Sequence, residues 1–268
     1  MDRRQLVLSL PAAALALGAT GARAGPGPLL AQAIASPLRS EKFRERDRYR
    51  HPAASLAFWG LQPGMTVVEI DPDGGYWTEI LAPYLKASGG RYIGAVGAEG
   101  SEVKTRFADP AIWGRIEVED FGPKSGPLAP PGTVDLVLTC RNVHNWMWIP
   151  GFVPKAFGDF HACLKKDGIL ALEEHRADPR PMVAEARDGY VATKFVVDAA
   201  RAAGLRLEAS SEINANPKDD KNHPFGVWTL PPTLRNHARG EPTPAGYDKA
   251  KYLAIGESDR MTLRFRNA

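Results

Sequence analysis

Three short stretches hold residues able to do chemistry. The first, Val67-Val68-Glu69-Ile70-Asp71-Pro72-Asp73-Gly74-Gly75-Tyr76-Trp77-Thr78-Glu79-Ile80-Leu81, reads as a buried strand, a tight turn and the start of a helix. Glycine lets the backbone approach a ligand closely and a helix start offers unpaired N–H groups, so this junction suits a cofactor crevice. The second, Arg141-Asn142-Val143-His144-Asn145-Trp146-Met147-Trp148, crowds cationic, amide, imidazole and aromatic side chains at the end of an apolar run. An imidazole there suits general-base work, with Arg141 and Asn142 as orienting donors. The third, Glu173-Glu174-His175-Arg176, closes another strand. No second pair at ligand spacing accompanies it, so no metal is expected.

Other readings of the glycine turn stay open. A dinucleotide site would want GxGxxG, which is absent, while a strand-to-helix turn needing glycine only for geometry is the plainer alternative. Glu99 stands at about the 20-residue spacing at which nucleotide-binding α/β folds place an acidic acceptor for ribose hydroxyls. Asp120 sits just past a plausible strand from Ile116 to Val118, where a carboxylate could reach an adenine amino group. A hydrolase built on His144 or His175 lacks a nucleophile elbow.

Elements must hold these groups together. Strands are expected at Val67 to Ile70, Arg91 to Val96, Ile116 to Val118, Asp135 to Cys140, Ile169 to Leu172, Leu205 to Ala209 and Arg260 to Arg266, with helices after the glycine turn, at Phe152 to Leu164 and at Tyr190 to Ala203. An N-terminal helical arm covers 25–60. Its charged run from Arg44 to His51 reads as a solvated, salt-paired face or as a lid whose arginines meet an anionic ligand group. A long insert, 211–258, separates the last two strands; its Trp228-Thr229-Leu230-Pro231-Pro232 centre is too apolar for disorder and reads as a cap over the strand ends.

The chain opens with Asp2-Arg3-Arg4, an apolar run from Leu6 to Leu17 and Ala22-Arg23-Ala24, the pattern of a secretory signal covering 1–24, with Arg3-Arg4 also suiting a twin-arginine route to the periplasm. That run is too short to stay as a membrane span. Its removal lowers the formal charge from +3 to +1, and nothing in that balance asks for nucleic acid. Residues 61–268 are expected to form one domain. Cys140 and Cys163 both fall in core-facing segments and read as two buried thiols.

Taken in order, Arg50-His51-Pro52, Gly60-Leu61-Gln62-Pro63-Gly64, the stretch from Gly74 to Tyr84, Arg141 to Trp146, Glu174-His175-Arg176-Ala177, Ser211 to Pro217 and Gly256-Glu257-Ser258-Asp259-Arg260 resemble a group of exported class I S-adenosylmethionine (SAM) methyltransferases of undetermined substrate. The resemblance implies an α/β fold, a doubly wound Rossmann-like seven-stranded sheet with an antiparallel last strand. It also implies SAM over Pro72, Gly74 and Gly75, with Glu69 at its methionine end, Glu99 at the ribose and Asp120 at the adenine. His144 is then the base, and Asn145, Trp146, His175, Asn214 and Trp228 surround a small-molecule acceptor. Asp71 and Asp73 stand where two glycines usually are. A carboxylate about 6 Å from the cofactor would repel its carboxylate, or attract its sulfonium, by roughly 3 kcal/mol at an effective dielectric of about 20. The other function class is a periplasmic ligand-binding or scaffold protein without catalysis on the same fold.

Overall fold

The computed structural model describes residues 27–97, 101–179 and 186–268. The signal expected at 1–24 and Glu99 lie outside the described residues. Four short helices come first, α1 (Pro28–Ile34), α2 (Glu41–Arg44), α3 (Asp47–Arg50) and α4 (Pro52–Phe58). Then follow β1 (Thr66–Ile70), α5 (Thr78–Ser88), β2 (Arg91–Val96), α6 (Ser101–Arg106), α7 (Pro110–Trp113), β3 (Ile116–Asp120) and β4 (Val134–Cys140). The second half runs α8 (Val143–Trp146), α9 (Phe152–Cys163), β5 (Leu164–His175), α10 (Thr193–Ala202), β6 (Leu205–Ser211), α11 (Lys249–Ile255) and β7 (Arg260–Asn267).

The seven strands form one sheet in the order β3-β2-β1-β4-β5-β7-β6. The first five are parallel to their neighbours, and β7 is antiparallel to both β5 and β6. Strand order reverses between β1 and β4, and in open α/β sheets ligands bind beyond the strand ends at that switch.

Alternation along the strands explains the two layers around the sheet. Val68, Ile70, Val137, Leu170 and Leu172 face one side, where Phe157 and Phe160 of α9 and Val196 of α10 cover them. Val67, Leu136, Leu138, Ile169 and Ala171 face the other, against Ile80 and Leu81 of α5, Leu56 of α4 and Leu30 of α1. Because both faces are covered, the central strands read as continuous apolar runs. The expected strand at 169–172 is longer than anticipated: β5 begins at Leu164, and Asp167 at φ 60 carries the Lys166-Asp167-Gly168 turn inside the strand.

The arm is pinned rather than loose. Ser40 donates to Glu79 of α5 from both its N–H (2.8 Å) and its hydroxyl (2.6 Å), and Arg39 and Tyr76 both bond Asp47. The insert carries a 3-10 turn at Gly226–Thr229 and α11, and lays Val227, Trp228, Pro231 and Pro232 over the strand ends. Cys140 and Cys163 are free and buried. Among the described residues no helix is long and apolar enough to cross a membrane.

Candidate functional site

A cavity of about 650 Å³ opens beyond the carboxyl ends of β1 and β4, between the arm and the cap. Its floor is the β1–α5 loop. Asp71, Asp73 and Gly75 take φ of 44, 52 and 88, so the two aspartates hold the left-handed backbone that glycine prefers, at about 1–2 kcal/mol each. Neither carboxylate closes the cavity. Asp73 is exposed, and Asp71 Oδ1 accepts from the Gly97 N–H at 3.3 Å beyond the end of β2. Burial pushes the Asp71 carboxyl up to about 6, opposed by the Trp146 indole and the Gly97 amide.

Pro72 and Gly74 line the cavity. Gly75 does not; a Cβ there would run into the ring of Phe107, so this glycine serves helix packing and the turn rather than close approach to a ligand. Glu69 borders the cavity, but its Oε2 accepts from Tyr92 (2.7 Å) and Thr78 (3.0 Å), and burial pushes its carboxyl up to about 8. A mostly protonated acid held by its neighbours is a weaker grip for a cofactor than the sequence suggested. Trp77 also lines the cavity, and its buried indole N–H has no hydrogen-bond partner among the described residues.

On the β4 side, Arg141 turns the chain out of the strand at φ 64, its N–H donating to the Glu173 carbonyl at 2.7 Å. The next turn, α8, delivers His144 to the cavity wall. Its Nδ1 donates to Glu174 Oε1 at 3.0 Å, and Glu174 Oε2 accepts from the His144 N–H at 3.3 Å. Glu174 is fully buried. The pairing fixes the tautomer, leaving Nε2 as the basic atom. Rings of His175, Trp228 and Trp148 surround the imidazole at centroid distances of 5.2, 5.7 and 6.2 Å. His175 Nδ1 lies 2.5 Å from Ser258 Oγ, and burial, then His144 and the guanidiniums of Arg141, Arg260 and Arg50, push its pKa well below the usual range.

His144, Glu174 and His175 bring possible ligand atoms within 4.8 Å of one another, a convergence the sequence did not reveal. The carboxylate is occupied by His144 and by the His175 N–H, and Arg50, Arg141 and Arg260 nearby oppose a cation, so the group reads as an acid–base pair.

Several expected site residues sit elsewhere. Asn142 lines the cavity, yet its side-chain N–H groups go to the Ile70 carbonyl (3.0 Å) and Thr139 (3.2 Å), tying the ends of β1 and β4 together instead of orienting an acceptor. Trp146 is core, packed on Phe121, Phe152 and Phe160. Asn214 is buried away from the cavity, donating to Ser55, Glu173 and Thr262 and fastening arm to sheet. Asp120 is exposed at the end of β3 and does not border the cavity. Arg141, His144, Asn145, His175 and Trp228 do border it. So do three residues the sequence reading did not single out, Phe43, Tyr76 and Glu257, together with Arg46 and Arg50 from the charged arm. That run is therefore a lid in part: Arg46 and Arg50 face inward while Arg44 and Arg48 remain exposed.

No family model matches the sequence, and no curated protein matches it. Among solved structures, the chain is similar to the cyclase SpnF, with a TM-score of 0.55 and 14% identity over 89% of this chain and 92% of that one. It is also similar to a SAM-dependent methyltransferase from Aquifex aeolicus, with a TM-score of 0.52 and 18% identity over 63% of this chain and 87% of that one. A third likeness is to an arsenic(III) S-adenosylmethionine methyltransferase from Chlamydomonas reinhardtii, with a TM-score of 0.51 and 15% identity over 90% and 73% of the two chains. These likenesses establish the fold, the seven-stranded α/β sheet of class I SAM methyltransferases.

Proposed function

We propose that the protein transfers a methyl group from SAM to a small-molecule acceptor. The observation that carries this reading is the pairing of His144 with buried Glu174 on the wall of a 650 Å³ cavity at the β1/β4 switch. The cavity fits the cofactor by three features. The β1–α5 loop keeps a glycine-like backbone, the Trp77 indole N–H has no hydrogen-bond partner among the described residues, and Asp71 and Asp73 give the cavity negative charge that would complement a cationic cofactor. Solved structures of the same fold include SAM-dependent enzymes, which supports the reading at the level of architecture.

Bound SAM supplies an activated methyl carbon. Pro72 and Gly74, which line the cavity, would hold it, and keeping donor and acceptor in line can contribute about 7–11 kcal/mol of the barrier. His144 Nε2 takes the proton released by a hydroxyl, amine or thiol acceptor, and Glu174 stabilises the resulting imidazolium. Trp228, Pro231 and Pro232 shield the reacting groups from water. Export to the periplasm, proposed from residues 1–24, puts the enzyme outside the compartment where SAM is made. The non-catalytic binding-protein reading therefore stands second.

Calorimetric titration of SAM into the chain from Gly25 onward separates the two. Binding at micromolar to millimolar SAM supports methyl transfer. A folded protein that gives no heat at millimolar SAM overturns it and leaves the binding-protein reading.

A further inference from the structure

Charge is unbalanced in and behind the cavity wall built by the arm, the end of β4 and the loop before β7. Four guanidiniums, Arg46, Arg50, Arg141 and Arg260, share two carboxylates among the described residues. Glu257 accepts from Arg46 (2.6 Å), Arg50 (3.2 Å) and Arg260 (3.0 Å); Glu173 pairs with Arg260 (3.1 Å) and stands 3.8 Å from Arg141 Nε. Burial alone would raise Glu257, but Arg50, Arg260 and Arg46 outweigh it and hold its carboxyl well below the usual range. It is already ionised and has no further charge to give.

The donors are unbalanced too. Nη2 of Arg46, Nη2 of Arg50 and Nε of Arg141 are buried without a hydrogen-bond partner among the described residues, and all three side chains line the cavity. Arg50 is 1% exposed, so water does not satisfy it from outside. Buried donors are almost always paired, and a buried charge left uncompensated is costly. Guanidinium forks match the two oxygens of a carboxylate or a phosphate. The SAM cation, with its negative charge limited to one carboxylate, does not neutralise this surplus.

We infer that the acceptor is an oxyanion: Arg46, Arg50 and Arg141 bind a carboxylate or phosphate on it, and the apolar Trp228-Pro231-Pro232 surface holds its body beside His144. Naming this anion the acceptor rests on the methyl-transfer reading; the oxyanion site itself does not.

The test titrates benzoate, inorganic phosphate and the neutral benzyl alcohol into the full mature chain by calorimetry. Benzoate or phosphate binding at least tenfold tighter than benzyl alcohol supports the inference, and whichever anion binds tighter tells carboxylate from phosphate. Arg141→Gln and Arg46→Gln, both on partly exposed side chains, each weaken the anion at least tenfold with the unfolding transition retained. Saturating S-adenosylhomocysteine leaves anion affinity unchanged if the two ligands lie side by side. Loss of anion binding under that condition assigns the guanidiniums to the cofactor's own carboxylate and overturns the inference, as does a failure of both anions to bind at millimolar concentration. Benzoate bound with no heat from SAM removes the methyl-transfer reading and leaves the oxyanion site standing.

Discussion

His144 and Glu174 form the smallest unit on which the proposed chemistry depends. Replacing His144 by Gln removes the base and should lower turnover of the acceptor by about 10²–10⁴-fold while SAM affinity stays within about twofold; an equal loss of SAM affinity would assign the imidazole to the cofactor instead. Glu69 makes a different prediction. Its carboxyl is raised from 4.5 to about 8 because burial penalises the charged form more than Tyr92 and Thr78 favour it. The folded state thus holds the proton more tightly than the unfolded chain. This group costs nothing below pH 4.5, and its penalty grows as pH rises toward about 8. Glu69→Gln keeps an oxygen for Tyr92 and Thr78 but cannot ionise. Its urea midpoint should fall less than the parent's between pH 5 and 8, and parallel curves would show that Glu69 does not titrate in that window.

At the scale of elements, the β1–α5 junction and the arm–cap contact each give a stability measurement. Gly75→Ala forces a side chain to φ 88 and against Phe107, and should cost about 2–4 kcal/mol in urea unfolding. Gly74→Ala, whose Cβ would meet Phe43 at 3.3 Å, should cost less than about 1 kcal/mol. Comparable losses at both positions would show that Phe107 moves aside. Glu257→Ala leaves Arg46, Arg50 and Arg260 without their shared counter-charge and should cost about 3–5 kcal/mol, with the arm becoming the first segment to exchange its amide hydrogens.

Elements of this kind differ in how much the sequence reveals. The strands were legible because Val67 to Ile70 and Asp135 to Cys140 are apolar runs bounded by turn residues, and Arg91 to Val96 agreed to the residue. That His144 would border the cavity was legible because its segment follows the carboxyl end of a strand lying beside the glycine turn's own strand. Its partner Glu174 was not, because it lies on β5 and only the β4–β5 pairing brings the two together. Trp146 and Asn214 misled for the opposite reason: their residue types suit a site, but α8 turns one into the core and the hairpin of β6 and β7 encloses the other. The arm arginines stayed open between a solvated face and a lid because the carboxylate that draws two of them inward, Glu257, is encoded far along the chain.

For the whole molecule, the sequence carries a claim about destination. If the Arg3-Arg4 pair directs export of the folded protein, replacing both with lysine should make precursor accumulate in the cytoplasm, read by fractionation and immunoblot. Unchanged secretion would reject that route. The ion pair between Arg46 and Glu257 has a bearing on the same question. It joins the N-terminal arm to the loop before β7, 211 positions further along the chain, so the chamber cannot close on this pair until that loop has been made. If a ligand is loaded before export, that loading must follow translation of the chain as far as Glu257.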